Sequence, residues 1–432
     1  MLEPAFRADV VVVGAGVAGL TAAHRLTRAG VPTVVLEAAS CAGGRMATEK
    51  IDGFRLDRVG RFLSASPQEP RLAPGLDALV LRPFAPGVLV HGEGRTQRVG
   101  GTVRAGGARG ALTAARALMS APLGSDQARL TAALARLAAT PVERLLSRPE
   151  TTAREAFAAR GVASRTADGL LRPLLAALLG DPDLTTSSRC ADLALRSFAA
   201  GRLCVPKGGA DALPELLAAA LPAGTVRTGV RATSVSTTSV TTADHGVLRC
   251  RAVLVATGAR DAAELLPGLR VPPFHPVTVV HHTADEAPLA EPSLLLDADR
   301  RSPVAHTAVV SEVDPSRAPA GRALVSTTVL GPPPADVEAV VRARLAVLYG
   351  RPTYRWETLA VHHTPEAVPA MPPPHDARRP VRLLDGLYVC GDHRDTGTVQ
   401  GALRSGHRAA AAVLADLGAG AAFASDPLPH AA

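Results

Sequence analysis

Gly14, Gly16 and Gly19 stand at GxGxxG spacing, and Glu37 follows 18 residues past the last of them. In such a set the first glycine permits a tight turn and the second lets backbone approach a pyrophosphate. The third lets a helix pack close to a strand, while the acid accepts hydrogen bonds from an adenosine ribose. Gly43 and Gly44 then lead into Arg45, which would bring backbone N–H groups and a guanidinium to the same diphosphate. A GG-R element a few residues beyond the ribose-binding acid is not part of a nicotinamide dehydrogenase pattern and points to FAD.

These residues need elements to hold them. The run Val10, Val11, Val12, Val13 reads as a buried parallel strand, and Thr33 to Leu36 reads as a second. The helix between them opens at the glycines, with its free N–H groups and positive dipole end toward the phosphates. Residues 88–99 read as a hairpin turning at Gly92 to Gly94. Residues 110–198 are rich in Ala, Leu and Arg and read as a helical insert, with Leu130, Leu134 and Leu137 on one face. Thr152 and Glu155 form a capping box, and Gly161 closes that helix in a left-handed conformation. Residues 225–235 and 248–257 read as strands with a turn between them. Residues 336–350 read as an amphipathic helix with an acid at its start and glycine at its end.

Composition limits the partners. The 432 residues are 47% hydrophobic and 20% charged, as in a folded globular chain of two or three domains. The net charge is +8, but the arginines are scattered and aromatic residues are only 3%, so nucleic acid is not an expected partner. Lys50 and Lys207 are the two lysines. Cys41, Cys190, Cys204, Cys250 and Cys390 show no CxxC or metal spacing and read as reduced, small buried residues of a cytoplasmic protein; no metal is expected. No apolar run reaches membrane-span length. Residues 170–180, LLRPLLAALLG, read as a core helix, with peripheral membrane contact as the alternative.

The glycine fingerprint, Glu37, Gly43-Gly44-Arg45 and the distal stretch LYVCGDHRDTGTVQGALRSGHRAAAAVL resemble the flavin-dependent amine oxidase superfamily, which includes monoamine oxidases, phytoene desaturases and protoporphyrinogen oxidase. The resemblance implies an α/β fold: a Rossmann-like FAD-binding domain and a substrate domain of mixed β-sheet with a helical cap. Segments 1–69, 205–268 and 376–419 would form the FAD domain. Segment 70–204 would carry the helical insert, segment 269–375 the rest of the substrate sheet, and 420–432 a flexible tail. Gly60, Arg61 and Phe62 would run along the flavin ring, and Val230 would present its backbone to the adenine. Gly391-Asp392 would place a carboxylate at the ribityl chain or the pyrophosphate. Thr398 and Val399 would open a long helix whose N–H groups point at flavin N1 and the C2 carbonyl, where negative charge accumulates on reduction.

Catalytic candidates are fewer. His281 and His282 lie in a strand, where alternation puts them on opposite faces, so one could face the flavin as acid or base. His362 and His363 have the same geometry. Lys207 either orients water near flavin N5 or is a loop residue. The catalytic candidates are therefore His363, His282 and Lys207. No second GxGxxG is present for NADPH, so electrons would pass from a small-molecule substrate through the flavin to oxygen or another acceptor. Thr398 stands where the resembled amine oxidases carry an aromatic ring. That favours hydride removal from an apolar substrate, desaturase-like or as a biosynthetic oxidase, with amine oxidation or a redox-neutral flavin role as alternatives.

Overall fold

The computed structural model describes residues 8–64, 76–100 and 124–418. Its organising element is a six-stranded sheet with the four-valine strand Val10–Val13 near the middle. That strand pairs in parallel with Thr33–Leu36 on one side and Ala252–Val255 on the other, and all four valines are buried. Val226–Arg227 extends the sheet beyond Thr33–Leu36. On the far side Leu387–Val389 adds in parallel and Arg382–Leu384 closes the edge antiparallel. A parallel strand buried on both faces needs apolar residues at every position, which is why these strands read as unbroken runs of Val and Leu.

Helices Val17–Arg28 and Val399–Asp416 pack together on one face of this sheet. Gly19 makes the close fit: a Cβ added there would sit 2.0 Å from the Gly14 carbonyl oxygen. Gly14 has φ +106°, and a Cβ on it would meet the Ala256 carbonyl oxygen at 2.9 Å. An antiparallel meander over Ala232–Val235, Ser239–Thr242 and Val247–Arg249 lies against the other face. This splits the two long strands expected at 225–235 and 248–257. Gly229 at φ +72° interrupts the first, and the chain leaves the meander at Cys250 and Arg251 before Ala252–Val255 begins.

The second layer is a seven-stranded sheet. Phe274–Ala284 lies between Glu357–Pro369 at the edge and Ala323–Leu330; Val304–Val309, Leu295–Asp297, Val88–Gly92 and Arg95–Val99 complete it. The hairpin turns on Glu93 and Gly94, both at positive φ, as a two-residue turn requires. Helix Val337–Tyr349 covers one face; Asp336 stands at its N-cap and Gly350 at φ +61° ends it. The other face packs against Phe54, Leu56 and the helical insert.

Within the insert, Thr152 and Glu155 form the reciprocal capping box and Gly161 lies at φ +71°. Leu170, Leu171, Leu174, Leu175 and Leu179 are buried in the shared core, so this stretch is a core helix and not a membrane-surface segment. Among the described residues no helix is long and apolar enough to cross a membrane. Cys41 is exposed, against the expectation of buried thiols, whereas Cys190, Cys204 and Cys390 are buried. The tail 420–432 lies outside the described residues.

The layers are tied together by a buried ion pair. The Arg317 guanidinium donates to both oxygens of Asp57, which also accepts from Thr48 Oγ1 and the Ala210 N–H. Burial alone would raise the Asp57 pKa, but the Arg317 charge and these hydrogen bonds hold it below the ordinary 3.8.

Candidate active site

The C-terminal ends of the central strands open on an elongated cavity of about 470 Å³. Gly14, Gly16, Glu37, Gly44, Arg45, Arg61, Val230, Gly391, Asp392, Thr398 and Val399 line it, eleven of the fourteen expected cofactor residues. Gly19, Gly60 and Phe62 do not. Gly19 does its packing work one turn behind the wall. Gly60, at φ +60°, faces Val279 and Thr328 of the seven-stranded sheet. Phe62 turns into the apolar core, edge-on to Phe84 at 5.5 Å and 5.2 Å from the His306 ring. Of that trio only Arg61 remains on the cavity.

At one end of the cavity the Glu37 carboxylate accepts hydrogen bonds from the Ala15 N–H (2.8 Å) and the Ala39 N–H (2.9 Å). Val230 is held beside it by a hydrogen bond from its N–H to the Glu37 carbonyl. Asp261, Glu264, Leu265 and Thr233 complete this end. No spacing rule pointed to them, because they come from the meander and the helix Ala259–Leu265.

In the middle the turn at residues 14–16 meets the Gly43-Gly44 turn: Gly16 and Gly43 form a parallel bridge, and the Gly43 N–H donates to the Ala15 carbonyl. A Cβ on Gly16 would have nothing within 4 Å, and one on Gly44 only the Gly16 Cα at 3.7 Å. Any side chain at Gly16 would therefore project into cavity space. The result is a backbone-lined cradle at a helix N-terminus, which suits a pyrophosphate. Arg45 spans from here to the far end, donating to the Ala367 carbonyl (2.8 Å) and to Asp392 Oδ1 (2.6 Å). Burial would raise the Asp392 pKa, but the Arg45 charge holds it below the usual carboxylate range.

At the far end Thr398 caps the helix Val399–Asp416, its hydroxyl accepting from the Gly401 N–H. The Arg61 guanidinium donates to the Gly397 carbonyl at 2.6 Å. Burial depresses the Arg61 pKa to about 10, so it stays charged at neutral pH. One cavity thus runs from Glu37 past the two glycine turns to Thr398, with glycine at positions 16 and 44, where a Cβ would stand in open space.

The three catalytic candidates lie elsewhere. His282 sits on the helix-covered face of the sheet, 6.1 Å from the Trp356 ring, and burial pushes its pKa down to about 4. His363 is exposed, with Nδ1 within hydrogen-bond distance of Thr278 Oγ1 (2.8 Å). Lys207 is an exposed turn residue whose N–H donates to the Val80 carbonyl. Strand alternation separated His281 from His282 as expected, but the cofactor-side member is His281, which is locked between the Asp57 carbonyl (3.1 Å) and Ser326 Oγ (2.9 Å). The sheet thus supports none of His363, His282 and Lys207 as a group at the flavin.

A doubly layered α/β chain whose parallel sheet carries this cradle, beside a second sheet and a helical insert, is an FAD-binding flavoprotein. It belongs to the flavin-containing amine oxidoreductase family, whose pattern matches residues 17–414. Among curated relatives it is 47% identical over 55 residues to the pseudooxynicotine dehydrogenase of Pseudomonas sp, covering 13% of this chain and 11% of that one. It is 31% identical over 252 residues to polyamine oxidase 1 of Oryza sativa subsp. japonica, covering 51% and 46%. The chain therefore matches less than half the length of either relative. In fold it resembles a putrescine oxidase redesigned in its cofactor binding, with TM-score 0.70 and 20% identity over 95% of this chain and 100% of that one.

Proposed function

We propose that this enzyme removes hydride from an apolar organic substrate, in the manner of a desaturase or biosynthetic oxidase, and passes the electrons to oxygen or another acceptor. The supporting observation is the apolar character of the core that adjoins Arg61. Val277 and Val279 of the sheet pack with Val59 of the cavity wall, and Phe62, Phe84 and Met371 belong to the adjoining core. Among the cavity-lining residues, Glu37, Asp261 and Glu264 stand at the adenosine end, and Asp392 is paired with Arg45. Among the described residues that line the cavity, no unpaired carboxylate is left at the end near Thr398 to hold a protonated amine.

Bound FAD would supply hydride acceptance and reoxidation. The protein's part is to hold and orient. Gly14, Gly16, Gly44 and Arg45 take the diphosphate and Glu37 the ribose. The N-terminus of the helix Val399–Asp416 stabilises charge at the pyrimidine side of the ring. In this reading segments 1–69, 205–268 and 376–419 make the cofactor domain, 70–204 and 269–375 the substrate domain, and the protein works in the cytoplasm. Amine oxidation is the second reading, favoured by the match to a polyamine oxidase.

Anaerobic mixing of the holoprotein with a panel of polyenes, porphyrinogens, other apolar compounds and amines decides between them. Bleaching of the flavin band by an apolar compound supports the first reading. Bleaching by amines alone supports the second and overturns the first.

A further inference from the structure

Among the described residues that line the cavity, three are arginines: Arg45, Arg61 and Arg231. Arg45 is paired with Asp392, and Arg231 is exposed beside Val230 at the adenosine end. Arg61 is different. Its guanidinium donates to the Gly397 carbonyl at 2.6 Å, and among the described residues it forms no ion pair. The Asp392 carboxylate acts on it only at longer range and is already hydrogen-bonded to Arg45. None of its nitrogens is both unpartnered and sealed from solvent, as Nε of Arg172 is, so the donors left over open on the cavity. An enclosed cation without a counter-ion is a standing cost, relieved by whatever negative charge comes to it.

Its place in the cavity says where that charge arises. Gly397 precedes Thr398, whose hydroxyl caps the helix Val399–Asp416 by accepting from the Gly401 N–H. The guanidinium and the positive end of this helix therefore meet at residues 397–399. The diphosphate has its own partners in the glycine turns at 14–16 and 43–44 and in Arg45. Hydride acceptance brings two electrons and one proton to a neutral flavin ring, which gains one negative charge. A helix N-terminus offers about half an elementary charge to meet it, and Arg61 adds a whole one in a site poorly screened by water.

We propose that Arg61 is the counter-charge of the reduced cofactor: its guanidinium faces the pyrimidine edge of the ring and stabilises the negative charge left there by hydride acceptance, making bound FAD the stronger oxidant. This rests on the reading that FAD binds with its ring at the Thr398 end.

The test is the reduction potential of the FAD-loaded protein, which by linkage reports the ratio of its affinities for reduced and oxidised FAD. A contact with the diphosphate is the same in both forms and cancels from that ratio; a contact with the reduced ring does not. Dithionite reduces the protein beside a reference dye, so no substrate is needed. In the wild-type protein reduced FAD should be bound at least roughly tenfold more tightly than oxidised FAD, which puts the potential about 30 mV or more above that of free FAD. Arg61→Met should lower the ratio roughly ten- to a hundredfold, a fall of about 30–60 mV, and Arg61→Lys should restore part of it. The pH dependence is a second signature that a merely structural role would not move. The wild-type potential should follow one proton per two electrons, about 30 mV per pH unit, down to pH 5. In Arg61→Met the slope should steepen toward twice that in acid, as the reduced ring takes up a second proton.

A wild-type potential at or below that of free FAD overturns the proposal whatever the variants do. So does an Arg61→Met potential equal to the wild-type one, whether flavin affinity falls, which would assign Arg61 to the diphosphate, or stays the same. A wild-type protein that takes up no FAD overturns the cofactor reading and this proposal together. Bleaching by amines alone would overturn the apolar-substrate reading and leave the shift in potential standing.

Discussion

Arg45 and Asp392 are 347 residues apart in the chain and 2.6 Å apart in the fold, and their contact joins the phosphate end of the cavity to its ring end. Asp392 is 9% exposed and Arg45 35%, so the pair sits on the cavity wall, where Asp392 holds the guanidinium in place. Replacing Asp392 by Asn keeps the shape and removes the charge that fixes Arg45. FAD affinity should fall roughly ten- to a hundredfold, the scale of one charge-assisted hydrogen bond of about 1.5–3 kcal/mol. Recovery of flavin fluorescence on dilution measures this, and unchanged retention would count against the pair as a cofactor clamp.

The glycines separate cofactor binding from folding. Gly19→Ala places a Cβ 2.0 Å from the Gly14 carbonyl oxygen, forcing helix and strand apart, and should cost about 1–3 kcal/mol by overpacking. Gly16→Val meets no protein atom at its Cβ and should keep the melting temperature of the apoprotein while abolishing flavin uptake. Melting curves and flavin titration together distinguish the two. Loss of stability in Gly16→Val would show that the cradle is not open there.

Arg317→Met leaves the Asp57 carboxylate enclosed without its partner and should destabilise the fold by about 3–5 kcal/mol at neutral pH. The wild-type Asp57 has a depressed pKa. Its contribution is therefore complete above the ordinary 3.8 and is lost as acid protonates it in the folded state. In the variant the buried carboxylate prefers its proton, so the stability difference between the two proteins should shrink as pH falls toward 4. Chemical denaturation at pH 7 and pH 4 gives both numbers.

Four buried histidines set the mild-acid limit. Burial lowers His281 and His306 to about 3, and His282 and His393 to about 4, from 6.5. Each is neutral in the fold but takes up a proton in the unfolded chain once the pH drops below 6.5. Stability is thus full above that value and declines below it, by up to about 1.4 kcal/mol per pH unit for each group. His282→Phe should flatten this decline by one proton's worth, because neither ring nitrogen of His282 has a partner to lose. Turnover of that variant should not change, because His282 lies behind the sheet against Trp356. Melting temperature against pH is the measurement.

Local chemistry was legible in the sequence wherever a few consecutive residues decide the outcome. The valine strand, the glycine turn, the Thr152 capping box and the helix ending at Gly350 need only their own neighbours, and their signals are short and regular. The strands at 225–235 and 248–257 were misjudged because β-rich composition does not reveal which sheet a segment joins, and here each run is divided between two. The histidines failed for a related reason. Alternation tells that His281 and His282 oppose one another, but which face meets the cofactor depends on the packing of Val337–Tyr349 against one side and Asp57 against the other. Arg317 carried no signal at all, since nothing near it in sequence marks it as the buried partner of Asp57.

The order of strands in the six-stranded sheet also governs how the protein comes into being on the ribosome. Val10–Val13 is made some 240 residues before its neighbour on one side, Ala252–Val255, and Leu387–Val389 emerges later still. Until then the nascent βαβ unit carries an unpaired apolar edge, the kind of surface that holdase chaperones protect. Asp392 and the helix behind it are translated after all of these. The cavity wall formed by Asp392, Thr398 and Val399 is therefore completed only when the last strand and the helix after it have emerged.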